Sequence, residues 1–240
     1  MNRIIKVYLK NVFTQKGFYI CLLISSLLSL VFPFMLNVFS KTVNDIKASS
    51  EIITALTGGV GIVETIFITI FVCNDFQEGA TKNFISRGYT RRQLLTAKFL
   101  VSVIATLAFL LVNIVGIFVL YGKNGINFDN SIILYTIASL AALVVNVGLY
   151  VVISNTAEKL GIAIAINLLL PNVVGLLFLA ISASIKTDII LSNYWITGLT
   201  SLLSEPPVFN EMLLVVGLSF AYLVLLFEIS NYIIKKKEVK

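Results

Sequence analysis

Histidine is missing from this chain, and only 12% of its residues are charged. Without histidine there can be no Ser-His-Asp triad and no H-E-x-x-H zinc site. No G-x-x-x-x-G-K-[S/T] loop is present either. The nearest stretch, "TGGVGIVE" from Thr57 to Glu64, lacks the lysine. The chain is therefore expected to be non-catalytic and to bind no nucleotide cofactor itself. Its two cysteines, Cys21 and Cys73, have no C-x-x-C spacing, so no metal site is expected and both read as small apolar fillers. A soluble domain carries about a quarter charged residues. Half that share, with 58% hydrophobic residues and a mean hydropathy of +0.97, describes a membrane protein.

Crossing about 30 Å of hydrocarbon takes about 20 apolar residues as a helix. Six runs meet that length: 17–39, 52–73, 97–121, 132–153, 160–184 and 212–234. The first follows a charged leader and is too long for a signal-peptide core, so no cleavable signal is expected. Positive residues favour the cytoplasmic side. With the N-terminus inside, every lysine and arginine lies inside except Lys41, Lys47, Lys123 and Lys186; the reverse topology puts most of them outside. The expected architecture is all-α: one polytopic transmembrane domain, 1–240, with six membrane helices and both termini cytoplasmic. The net charge of +6 follows that sidedness, which argues against nucleic acid as a partner.

Two cytoplasmic stretches carry more than topology requires. In the leader, Ile4, Ile5, Tyr8, Leu9, Val12 and Phe13 share a helical face, while Arg3, Lys6 and Lys10 fall mostly opposite. Residues 2–15 read as a basic amphipathic helix in the membrane interface, either an anchor beside anionic lipid or a mechanical element. The loop after the second run, "NDFQEGATKNFISRGYTRRQLLTAK", gathers Lys82, Arg87, Arg91, Arg92 and Lys98 against Asp75 and Glu78. Gly88 suits the C′ position of a short helix, and Thr90 suits the N-cap of the next. Arg91 and Arg92 in a first helical turn oppose the helix dipole, so a role beyond helix stability is expected for them. Residues 75–92 thus form a short polar surface helix shaped for docking.

This loop resembles the coupling-loop region of the ABC-type-2 transporter permeases, the six-span membrane subunits of many bacterial exporters. Glu78, Gly79, Thr81, Lys82, Ser86, Gly88, Arg91 and Lys98 carry the resemblance, although Ala80 separates a Gly and a Thr that are adjacent in many members. The motif covers about a tenth of the chain; the six runs, the leader and a long outer loop extend the likeness along its length. The resemblance implies that residues 75–92 enter a cleft on a separate cytoplasmic ATPase subunit, which holds ATP and Mg. Asp75, Glu78, Lys82, Arg87, Arg91 and Arg92 are then the coupling residues, and the leader is a connecting helix against the same subunit. It further implies a second permease subunit, as homodimer or heterodimer, and residence in a bacterial cell membrane. Permeases of Gram-positive peptide exporters, such as those for phenol-soluble modulins or lantibiotics, are similar in their Ile/Asn/Lys-rich composition. A cationic or amphipathic peptide is the expected cargo.

Polar residues inside the runs mark the expected path. Glu64 lies about 12 residues, roughly 18 Å, from the outer end of its run. No Lys or Arg shares its depth. It is expected either to line a wet cavity or to be a buried, protonated, structural acid. Glu228, nearer the inner end of the last run, is expected to snorkel to water or pair with a basic residue. Pro171 predicts a kink at which Asn167 and Asn172 satisfy freed backbone groups, as a gate or as a static bend. Gly58, Gly59 and Gly61 predict close helix packing. The outer loop 185–210 is too apolar for free coil and predicts short interfacial or re-entrant helices, with Trp195 and Tyr194 as interface anchors. Two other function classes fit the composition: an ATP-independent channel or secondary transporter, and a non-transporting anchor or immunity protein. The polar loop 75–92 separates them from the exporter.

Overall fold

The structure is a computed structural model that describes residues 2–40, 48–77, 80–121, 130–157, 159–185, 190–203 and 208–238. Its elements are α1 (Asn2–Thr14), α2 (Lys16–Ser40), α3 (Ala48–Gln77), α4 (Ala80–Ser86), α5 (Arg91–Tyr121), α6 (Asn130–Ala157), α7 (Leu160–Ile185) and α8 (Phe209–Glu238). Two 3-10 turns, Leu191–Tyr194 and Leu199–Leu202, lie between α7 and α8, and no strand occurs among the described residues. Each apolar run read from the sequence falls inside one long helix. Among the described residues, α5, α6, α7 and α8 are long and apolar enough to cross a membrane. The pair α1 and α2, bent by 63°, makes a fifth candidate if taken as one span. The protein is thus all-helical and transmembrane in character.

The bend between α1 and α2 falls at Gln15, just before Gly17. The Thr14 hydroxyl donates back to the Lys10 carbonyl (2.7 Å), and the Tyr19 hydroxyl donates across the elbow to the Phe13 carbonyl (2.9 Å). The second bond satisfies a carbonyl that the helix end leaves open. The turned-back α1 buries Ile4, Tyr8 and Val12, with Ile5 and Leu9 packed against the same core. Most of the face expected to meet lipid is therefore covered by the protein itself, while Arg3, Lys6 and Lys10 stay exposed. Behind α1, Phe18, Phe67 and Phe109 join α2, α3 and α5 through ring contacts with centroids 5.1–5.6 Å apart. Hydrophobic exclusion does little between helices in lipid, so such interlocked packing has to supply the cohesion. At the α6–α8 contact, a methyl added at Gly148 would meet Leu223 at 3.0 Å, so these helices approach over a small residue. Gly61, expected to play that part, has open space beside it, and the surroundings of Gly58 and Gly59 lie outside the described side chains.

The segment 190–203 turns back into the bundle. The Leu191 amide donates to Ser182 Oγ near the end of α7 (2.8 Å), and the Trp195 indole N–H donates to the Pro171 carbonyl, 11 residues deeper (2.8 Å). At 1.5 Å per residue the levels of Ser182 and Pro171 on α7 differ by roughly 16 Å. Tyr222, in the middle of α8, donates its hydroxyl to the Tyr194 carbonyl (2.7 Å). Ile196 and Leu199 are buried at 2% and 0% exposure. The described part of the loop, read as short helices, forms two 3-10 turns packed against α7 and α8. Trp195 sits half-buried at the level of mid-α7, against Phe178 and Tyr222, where an interfacial anchor was expected.

Gly198 closes this segment so tightly that a Cβ there would collide with the Ser192 carbonyl oxygen. Gly198→Ala is expected to cost about 1–3 kcal/mol and to unseat the segment. The emission of Trp195, the single tryptophan, should change along with the thermal unfolding temperature. Gly217→Ala, in open space on α8, is the control and should lose no stability.

Candidate functional site

Two polar places lie along α3. The first is a cavity of about 340 Å³ bounded by α3, α6, α7 and the segment 190–203. Glu64, Asn167, Pro171 and Asn172, read from the sequence as path and gate, all border it. Asn167 is buried at 2% exposure and ties three helices together. Its NH2 group donates to Thr69 Oγ1 of α3 (2.7 Å) and to Ser154 Oγ of α6 (2.9 Å). The Thr69 hydroxyl proton is engaged by the Thr65 carbonyl (2.6 Å), so Thr69 can only accept here, which fixes the orientation of the Asn167 amide. Asn172 is exposed and donates within its own helix to the Leu168 carbonyl (2.8 Å). Neither amide patches the Asn167 carbonyl, the acceptor that Pro171 leaves without its helical donor, as the sequence reading had expected. The helix nevertheless runs unbroken through Pro171, whose own carbonyl takes the Trp195 bond.

Glu64 stands in the wall and is wholly covered, at 0% exposure. Its Oε1 accepts from the Thr106 hydroxyl of α5 (2.7 Å), and Oε2 has no partner among the described residues. No ion pair to it occurs among the described residues, so charge here must be met by a proton or an incoming cation. Asn146 of α6, passed over in the sequence, also borders the cavity. Its NH2 donates to the Ala142 carbonyl (3.0 Å), leaving its Oδ1 without a donor. Asn146 and Thr106 each interrupt an apolar run, so attention to every polar residue inside the runs would have found them, whereas Ser154 lies just past the end of one. Glu228 is exposed on α8.

The second place is the junction where α3 ends and α5 begins. Asp75 and Lys98 form an ion pair of 2.7 Å, with side chains 7% and 1% exposed. The same Asp75 oxygen accepts from the Tyr8 hydroxyl of α1 (2.8 Å) and the Thr81 hydroxyl of α4 (2.9 Å). One carboxylate thereby gathers α1, α3, α4 and α5. The short α4 then ends as the sequence predicts. Gly88, at φ 87°, takes the C′ position; its amide donates to the Ile85 carbonyl (2.9 Å), and that of Tyr89 to the Phe84 carbonyl (3.2 Å). Phe84 and Tyr89 close the motif with rings 6.0 Å apart. Thr90 caps α5 in a reciprocal box with Gln93: the Gln93 amide donates to Thr90 Oγ1 (3.3 Å) and the Thr90 amide to Gln93 Oε1 (3.1 Å). This box offsets two arginines in an unfavourable first turn.

Of the residues expected to couple to a partner, Lys82, Arg87 and Arg92 are exposed and Arg91 is half-buried. Asp75 instead faces inward as the anchor of the junction, and Glu78 lies outside the described residues. Asp75 and Glu64 are 11 residues apart on α3, roughly 16 Å along one rigid rod. The junction and the cavity therefore share a helix. Compared with protein-family models, with curated proteins and with solved structures, the chain matches none.

Removing one member of a buried ion pair strands the other. Lys98→Met and Asp75→Asn are each expected to destabilise the folded chain by about 3–5 kcal/mol. The double variant should be less damaging than the sum of the two. Unfolding in detergent followed by circular dichroism measures all three, and additive losses would show that the two charges are not coupled.

Proposed function

We propose that this chain is the membrane subunit of an ATP-driven exporter in a bacterial cell membrane, a permease whose energy comes from a separate ATPase. In this reading all six long helices span, both termini are cytoplasmic, and a second permease subunit completes the path. The observation that carries it is the fastening of α4. This seven-residue helix buries none of its residues, yet the Thr81 bond to Asp75 and the Asp75–Lys98 pair hold it to α3 and α5. A helix free on its outer face and locked on its inner one suits the transmission of force from a docked partner. The outer face is basic, through Lys82 and Arg87, with Arg92 beside it on α5. Movement of α4 is delivered to α3, and α3 walls the cavity that would receive the cargo. The cargo is then an amphipathic or cationic molecule, with a peptide the leading candidate.

Docking is tested by charge reversal on the exposed face. Lys82→Glu with Arg87→Glu should reduce copurification of the P-loop ATPase at least about tenfold, since removing charge complementarity at an interface costs on the order of a kcal/mol per contact. The unfolding temperature should stay unchanged, because neither side chain is buried. An ATPase that copurifies equally with both forms, or with neither, would remove the ground for this function.

A further inference from the structure

Several donors around the cavity are taken up by the protein itself. Thr65 donates to the Gly61 carbonyl (2.7 Å) and Thr69 to the Thr65 carbonyl (2.6 Å). Asn146, Asn167 and Asn172 each spend at least one amide N–H inside the protein, and Thr106 gives its proton to Glu64. Three oxygens remain with no donor among the described residues: Glu64 Oε2, Asn146 Oδ1 and Asn167 Oδ1. All three belong to residues that border the cavity, and no Lys or Arg lines it. A carbonyl can only accept, so the Asn146 amide cannot be turned round without losing its bond to Ala142. The Thr69 bond fixes Asn167 in the same way. A site rich in unmatched acceptors and containing one carboxyl group is complementary to a positively charged hydrogen-bond donor.

Size and lining narrow the class. About 340 Å³ is at the small end for ligand pockets, enough for one side chain or a short amine but too little for a folded peptide. Leu143, Leu168 and Ile196 line it beside the polar groups. Ile62 of α3, 56% exposed, and the exposed Asn172 of α7 mark an approach from the side between those helices. The three oxygens are themselves covered in this conformation, so a ligand reaches them by parting the wall they form.

We propose that the cavity binds a primary ammonium group carried on an apolar chain, with Asn146 and Asn167 accepting its N–H bonds and Glu64 supplying the countercharge. The donor is either a free alkylamine or the lysyl side chain of an amphipathic peptide. The proposal rests on taking the cavity as the cargo's path. It is tested in the isolated chain, so failure of binding leaves the ATPase interaction unaffected, and loss of that interaction leaves binding unaffected.

Trp195 is the single tryptophan, and its indole is bonded to the Pro171 carbonyl in the cavity wall. Its emission should follow the parting of that wall. The full chain in lipid nanodiscs is titrated with n-butylammonium, tetramethylammonium and n-butanol. A saturable emission change with n-butylammonium, and none with the other two, is the expected result. Tetramethylammonium has the charge without N–H donors, and butanol has the chain without the charge. An equal response to either, or no response to any of the three, overturns the proposal in the wild-type protein. Glu64→Gln should weaken the n-butylammonium midpoint about tenfold or more, and an unchanged midpoint also overturns it. A lysine-bearing amphipathic peptide that displaces n-butylammonium, when its acetyl-lysine form does not, identifies the lysyl source; if neither displaces it, the free amine is the ligand.

Discussion

Asp75 and Lys98 meet at 2.7 Å with almost none of either side chain exposed, and the arrangement of one end of the bundle follows from that contact. Two charges taken out of water lose several kcal/mol each in solvation, and only close, well-directed partners return it. Here the partners come from four elements. Tyr8 brings α1, Thr81 brings α4, Asp75 brings α3, and Lys98 brings α5. The pair thus acts less as a source of stability than as a coordinate: it states where α1 folds back and at what angle α4 leaves the bundle. The aromatic contacts of Tyr8 with Phe71 and Phe84, at 5.8 and 5.6 Å, fill the space around that coordinate.

Much of this was legible in the chain because membrane solvent simplifies the code. Apolar runs of the right length became helices, and Gly88 and Thr90 punctuated the loop where their φ and capping preferences place them. Of the polar or kinking residues picked from the runs, Glu64, Asn167, Pro171 and Asn172 came to border one cavity, while Glu228 lies exposed on α8. What stayed hidden was direction. Asp75 looked like part of a docking surface because a loop rich in charge reads as solvent-facing, and nothing local reveals that a lysine 23 positions on will cover it. The leader's apolar face looked lipid-bound because periodicity reports that a face is buried without saying what buries it. Trp195 looked interfacial for a similar reason: frequency places tryptophan at the membrane surface, whereas its indole N–H here follows a backbone carbonyl inward.

The cavity and the junction differ in kind, and the difference suits a division of labour along α3. At the junction Tyr8, Thr81 and Lys98 converge on one oxygen of Asp75, so the polar groups there are mutually satisfied. Around the cavity, acceptors are left over, so that region can gain bonds by changing shape. A rod with one end fixed by satisfied polar groups and its middle bordered by unsatisfied ones concentrates displacement where it is most easily accommodated.

The hydrogen bonds of the segment 190–203 also set an order of assembly. Trp195 and Leu191 find their acceptors on α7, which precedes them in the chain, but the carbonyl of Tyr194 is held by Tyr222, and Leu199 and Leu203 pack with Met212 and Val215, all of which follow. During synthesis the segment emerges before α8 exists. It can lean on α7 as soon as it is made, yet it cannot be sealed in until the last helix has been inserted. The inward turn of this loop is therefore completed late in biogenesis, and a chain cut before α8 would leave the segment's apolar side chains walled on the α6 side but open on the other.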